Sequence, residues 1–252
     1  MTSLSVKSLL AGVALLAAPA ALADISTSAS AFDAKIAAAR ASSSPGGTAV
    51  IRSEMSGALD EFWYDDWMVD VDEHDYLGEQ LSDPYFVTGI DASAQDLGWD
   101  YYELNDGQWA ENFDFWRVTT PASQLYGANG PLAWSSSIGE GYSMGVVNQD
   151  TLQYAYGMVL AQGYEDPMLF APITDAEMVQ LLSGRTMSGY PSQAEVNGAA
   201  AYLMEAAGEG ERLYSAGWRS YFWGGTSAGY VIAAVGDGQD FIRMVKVISW
   251  GD

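Results

Sequence analysis

The side chains with the most chemistry to offer are carboxylates crowded into one stretch. Asp60, Glu61, Asp65, Asp66, Asp70, Asp72, Glu73, Asp75 and Glu79 fall within residues 60–79. A hard divalent cation such as Ca²⁺ takes about six to eight oxygen ligands, and clustered carboxylates are their usual source. Asp70 and Asp72 have the spacing of the first two ligands of an EF-hand loop, but the rest of that template fails. Counted from Asp70, the position that needs Gly is Asp75 and the position that needs the bidentate Glu is Leu81. The metal candidate is therefore a non-EF site built from Asp66, Asp70, Asp72 and Asp75, with Ca²⁺ the expected ion. The competing expectation is a solvated acidic face, or acidity matched to salty surroundings, because only Lys35 and Lys246 remain as lysines beyond residue 23.

The same region is rich in flat apolar rings. Between Arg52 and Arg117 lie 64 residues with 18 carboxylates, 14 aromatic residues and no Lys or Arg. Sugar rings stack on aromatic faces, and carboxylates accept hydrogen bonds from sugar hydroxyls. Apolar walls with a few placed polar groups are what such a groove needs. Trp63, Tyr64, Trp67, Trp99, Tyr101, Tyr102, Trp109 and Trp116 supply the rings. Of these, Trp63, Trp67, Trp99, Tyr101 and Trp109 are the expected ligand contacts. The competing expectation is that they are core and strand residues, since Trp and Tyr favour strands and dominate burial. Two carboxylates held at glycosidase separation would make the segment a hydrolase.

Two further signals carry nucleophile or proton chemistry. Gly225-Thr226-Ser227-Ala228-Gly229 matches G-x-S-x-G, the elbow that exposes a Ser nucleophile in α/β-hydrolases. It is similar to the G-T-S-A-G stretch of cyanophycinase-like serine peptidases. Its surroundings favour a Gly/Ser turn: no His follows Ser227, and no alternating strand–helix pattern supplies a parallel sheet. The single His, His74, sits between Glu73 and Asp75 and is expected on the surface.

Composition bounds the rest. With 33 Asp plus Glu against 10 Lys plus Arg, the net charge is −23. Such a chain repels phosphate backbones, which argues against a nucleic-acid partner. It has no Cys, so it has no disulfide framework and no thiol nucleophile, and one His cannot build a multi-His metal centre. Its apolar fraction of 49% is too high for a disordered acidic tail, so the chain is expected to fold.

Residues 1–23 have the form of an export signal. Lys7 precedes an apolar run from Leu9 to about Ala18, and Ala21-Leu22-Ala23 is a small-x-small cleavage pattern. Removing the segment takes away one positive charge and no carboxylate, so −23 becomes −24. No later stretch is apolar enough to span a membrane as a helix.

The remaining chain divides into three regions. Residues 24–47 are expected to form a helix over Ala31–Ala41, with Phe32, Ile36 and Ala39 on one face, then a Ser/Pro/Gly linker. Residues 48–172 are expected to be an acidic, aromatic β region. Its elements are a strand at Thr48–Arg52, a helix through Met55, Leu59 and Phe62, and a period-two strand from Asp66 through Val71. A hairpin turning at Asn105-Asp106-Gly107 and strands at Tyr142–Asn148 and Thr151–Ala161 complete it. Residues 173–252 are expected to open with a helix. Thr174 and Glu177 form its capping box, Met178, Leu181 and Leu182 its apolar face, and Gly184 its C-terminal cap. Ser192 and Glu195 form a second capping box, but Gly198 interrupts the helix it would start. A final hairpin joins Tyr230–Val235 to Phe241–Trp250.

Leu182-Ser183-Gly184-Arg185-Thr186-Met187-Ser188-Gly189, with Tyr202-Leu203 and Gly208, resembles a pattern in small exported lipocalin-like proteins of proteobacteria. Over residues 174–252 the resemblance implies a small antiparallel barrel or curled sheet, and no site residue.

The sequence therefore predicts an α+β protein with strand-rich antiparallel sheets, barrel-like in one form, and a few short helices. It predicts a periplasmic or secreted, non-enzymatic binding protein whose acidic, aromatic segment contacts a glycan or a divalent cation. The alternatives are a glycan-active hydrolase, an outer-membrane β-barrel, and an acidic inhibitor of a basic secreted protein.

Overall fold

The computed structural model describes residues 18–64, 68–107, 113–143, 147–162, 164–165, 169–208, 212–222 and 225–251. The chain forms two compact units, residues 1–98 and 99–252.

The first unit is helical. It contains α1 (Ala18–Ala39), α2 (Arg52–Tyr64), α3 (Val71–Ser82), the short α4 (Pro84–Val87) and the start of α5 (Ala92–Leu104). Phe32, Ile36 and Ala39 of α1 are buried, as their spacing predicts. Phe32 stacks on Phe62 at 5.0 Å between ring centroids and on Phe86 at 5.9 Å, with Tyr76 edge-on to both Phe32 and Phe62. Met55, Leu59 and Phe62 are buried along α2. The strand expected at Thr48–Arg52 reduces to one bridge, Val50 beside Ile90, because α2 already begins at Arg52.

The period-two strand is also corrected. Val71 opens a helix, because Asp70 and Glu73 form a capping box. The Asp70 carboxylate accepts from the Glu73 N–H at 2.9 Å, and the Glu73 carboxylate accepts from the Asp70 N–H at 3.1 Å. Two orphan amides are thereby satisfied in a helical start, which outweighs the local alternation of valines.

The second unit is an antiparallel sheet with helices on both faces. Its strands are β1 (Asp114–Arg117), β2 (Ser136–Tyr142), β3 (Tyr164–Glu165), β4 (Ala171–Pro172), β5 (Arg212–Phe222), β6 (Gly225–Val235) and β7 (Phe241–Gly251). The order is β1-β2-β7-β6-β5-β3, and β4 also pairs with β5. The helices are the end of α5, α6 (Ala122–Leu125), α7 (Pro131–Trp134), α8 (Gln149–Val159), α9 (Asp175–Leu182) and α10 (Gln193–Ala207). One face packs Tyr214, Trp218, Val231, Ala233 and Met244 against Leu152, Ala155, Tyr156 and Leu160 of α8 and its C-terminal cap. The other packs Leu213, Ile232, Ala234, Val245 and Val247 against α9 and α10.

The α+β class holds, and the sheet is open, not closed into a barrel. Among the described residues helix outweighs strand, because two segments expected as strands are helices. Along Thr151–Ala161 the apolar alternation suggests a strand. Burial instead follows Leu152, Ala155, Tyr156 and Leu160, a helical period, while Tyr154 and Met158 face solvent. Asn148 starts this helix by accepting the Thr151 N–H at 3.0 Å. Residues 98–104 continue α5, so β1 pairs with β2 rather than folding back on them. Gly107 does keep the positive φ expected of the turn.

Residues 193–207 form α10, with both expected capping boxes of the C-terminal region in place. Gly198 does not interrupt it. A Cβ there would collide with the Tyr126 carbonyl oxygen, so glycine allows α10 to lie against the end of α6. The Tyr202-Leu203 pair of the lipocalin-like pattern thus lies on a helix, which Gly208 ends. The final hairpin is present as β6 and β7. Among the described residues, no helix is long and apolar enough to cross a membrane.

Candidate functional site

Two clusters in the second unit combine charge with aromatic rings. The first lies where β1, β2 and β7 run side by side. Register sets Trp116 opposite Glu140, Tyr142 opposite both Asp114 and Phe241, and Glu140 opposite Arg243. These residues share one face of the sheet, because side chains alternate along a strand and partners match across it. Trp116 is 40% exposed and Tyr142 is 49% exposed. Their ring centroids are 5.9 Å apart, and Tyr142 meets Phe241 at 5.4 Å. Trp116 and Tyr142 are open to solvent, and half-buried Phe241 continues the row.

Beside this row is a fixed polar group. Glu140 Oε1 accepts from Arg243 Nε at 2.6 Å and from the Tyr202 hydroxyl at 2.5 Å. Arg243 lies over the Tyr202 ring, 3.8 Å from its centroid, donates to the Tyr202 carbonyl, and faces Glu205 at 3.4 Å. Burial, reinforced by the hydrogen bond to Glu140, pushes the Tyr202 hydroxyl above its ordinary value, so it stays a neutral donor. Glu140 is thus held in one orientation by a charged and a neutral donor. Asp114 is exposed at the other side of the row.

The second cluster is buried on the opposite face, and Lys246 is its centre. Its ammonium donates to the Leu160 carbonyl at 2.9 Å, pairs with Glu165 at 2.7 Å, and lies 4.0 Å from the Trp218 ring centroid and 4.9 Å from that of Tyr156. Glu165 also accepts from the Tyr156 hydroxyl and from the Gln162 N–H. Burial lowers the Lys246 pKa, opposed by Glu165 and assisted by Arg117; burial and Glu165 raise that of Tyr156. A depressed lysine suits nucleophilic chemistry, but the Lys246 and Glu165 side chains are 3% and 5% exposed and mutually saturated. The cluster therefore ties the end of α8 and β3 to the sheet.

The residues singled out in the sequence fall as follows. Asp66, Trp67 and Trp109 lie outside the described residues. Trp63 is half-buried on α2 in the first unit. Trp99 and Tyr101 lie on α5 in the second; Trp99 is 40% exposed and edge-on to Tyr102 at 5.7 Å. Asp70 caps α3, whereas Asp72 and Asp75 are exposed on its first turns. Among the described residues, no three of His, Asp and Glu come together as a metal site. Ser227 lies within β6 opposite Ser220, so G-x-S-x-G here is neither an elbow nor a turn. Gly229 admits the Val247 carbonyl oxygen, which a Cβ would strike.

Of the rings weighed in the sequence, Trp116 is the one in this row. Tyr142, Phe241, Glu140 and Arg243 were invisible as a group, because they meet through the pairing of β1, β2 and β7. Comparison with protein-family models, curated proteins and solved structures gives no match to this chain.

Proposed function

We propose that this chain is an exported, non-enzymatic glycan-binding protein, and that the Trp116–Tyr142–Phe241 row is where the sugar stacks. The observation that carries the reading is the exposure of Trp116 and Tyr142 side by side on a sheet face, next to an oriented carboxylate. Burying such rings is favourable, and leaving them in water is a cost that a stacked ligand removes. Pyranose C–H faces fit flat rings, while Asp114 and the fixed Glu140 accept hydrogen bonds from hydroxyls. Glu140 Oε1 already accepts two hydrogen bonds, which suits a positioned acceptor better than a general acid. Residues 1–23 support the export reading: their charge, apolar run and Ala-x-Ala end fit a cleaved signal.

The test is a titration of the whole chain with neutral oligosaccharides, followed by tryptophan fluorescence and calorimetry. Saturable binding with no release of shorter sugars supports the proposal. A silent screen removes glycan binding, and release of products moves the chain to the hydrolases.

A further inference from the structure

Strand register sets a carboxylate opposite each exposed ring of the stacking row. Asp114 stands opposite Tyr142, and Trp116 stands opposite Glu140. Rings and acids therefore alternate across β1 and β2. Side chains directly opposite in an antiparallel pair have Cβ atoms about 4.5–5.5 Å apart, and diagonal pairs stay within reach of large rings. The 5.9 Å between the Trp116 and Tyr142 centroids is the ring diagonal of this square. Asp114 and Glu140 occupy the other diagonal.

The same face is short of positive charge. Along β1, β2 and β7 the cations are Arg117, Arg243 and Lys246. Arg117 follows Trp116 in β1 and so lies on the other face, where Lys246 is buried. Arg243 is 12% exposed and fully engaged. It donates to Glu140 and to the Tyr202 carbonyl, faces Glu205 and covers the Tyr202 ring. Asp114, Glu140 and Glu205 thus set three negative charges against the one positive charge of Arg243.

Rings and carboxylates in this arrangement favour one ligand group for two separate reasons. An ammonium over a Trp or Tyr face is drawn to the negative face of the ring, and a neighbouring carboxylate pairs with it. A hydroxyl answers only the carboxylate. A uronate or sulfate is repelled by these acids and by a chain of net charge −23.

We infer, resting on the assignment of this row as a glycan site, that the glycan it takes carries free amino groups. The ligand class is an amino-sugar chain. Its pyranose rings stack on Trp116 and Tyr142, and its ammonium groups are held by Asp114 and Glu140. Charge excludes acidic glycans, and the pairing of each ring with an acid favours amines over neutral chains of the same shape.

The experiment titrates the full-length chain, by calorimetry and tryptophan fluorescence, with glucosamine oligomers, their N-acetylated counterparts and oligouronates of equal length. Mildly acidic buffer keeps the amines charged. Glucosamine oligomers are expected to bind tighter than the N-acetylated ones by roughly threefold to thirtyfold at low salt, and the uronates not to bind. Added salt should narrow the preference. Asp114→Asn should cut it by roughly two- to fivefold, the range of an exposed ion pair. Asp175 is exposed on the first turn of α9, and Asp175→Asn should leave the preference unchanged. Equal or tighter binding of the N-acetylated chain or of the uronates overturns the inference and leaves the row as a glycan site of another kind. An equal loss of preference in Asp114→Asn and Asp175→Asn also overturns it, because the amines then answer to overall charge. Silence of all three sugars removes the glycan reading itself, and a saturable response to spermidine alone would then reassign the row to polyamines.

Discussion

Lys246 and Glu165 form an ion pair of 2.7 Å in which both side chains are almost sealed from water. Removing one partner strands the other charge, which costs about 3–5 kcal/mol, while replacing both with apolar groups is often neutral or better. Lys246→Met is therefore expected to be strongly destabilised in urea melts, and Lys246→Met with Glu165→Met to recover most of the loss. The pair also has a pH signature. The folded lysine holds its proton less tightly than the unfolded one, so native stability gains as pH rises from the folded value towards 10.5. That gain should be missing from the double variant.

Tyrosines act in the opposite direction at higher pH. Burial raises the hydroxyls of Tyr126, Tyr156, Tyr202, Tyr214 and Tyr230 above 10. Their contribution is fully present below the unfolded value of 10 and is lost as pH rises beyond it. The chain should unfold cooperatively in alkali, with the absorbance of these buried tyrosinates appearing in the same step as the loss of helix signal. Ionisation of all 15 tyrosines with the helix signal intact would contradict this.

Two helical glycines should respond with opposite signs. Gly198→Ala forces a Cβ into the Tyr126 carbonyl and should lower stability by about 1–3 kcal/mol. Gly157→Ala on α8 meets nothing and should raise it by about 0.5–1 kcal/mol. Thermal melts of the two variants decide the matter.

The two capping boxes of the C-terminal region differ in burial. Glu195 is 1% exposed and accepts from the N–H groups of Leu132 and Ala133 as well as from Ser192. Glu177 serves an exposed box at the start of α9. Glu195→Ala strands buried donors at about 1–3 kcal/mol each, whereas Glu177→Ala should cost about 1 kcal/mol. Equal losses in chemical denaturation would contradict the difference in burial.

Local signals predicted their elements where they were strong. The Thr174–Glu177 and Ser192–Glu195 boxes, the apolar face of α2 and the β6–β7 hairpin were all legible in the residues. The Asp70–Glu73 box was equally present in the sequence but was masked by alternating valines. In α8, Leu152, Tyr154, Tyr156 and Leu160 satisfy a strand pattern, and the burial of Ala155 decides for the helix. The site was legible only through Trp116, because Glu140, Tyr142, Phe241 and Arg243 acquire their meaning from strand register. Acidity was a poor guide: Asp70 and Glu73 are engaged in holding a helix end.

The most direct measurement is calorimetric titration of wild type, Trp116→Ala and Tyr142→Ala with the oligosaccharide that binds wild type best. Both rings are exposed, so both variants should keep the wild-type melting temperature within the small range of surface substitutions. Affinity should fall by about 5- to 150-fold in each, at about 1–3 kcal/mol for a lost stacking ring. Full affinity in both variants would contradict the assignment of the sugar to this row.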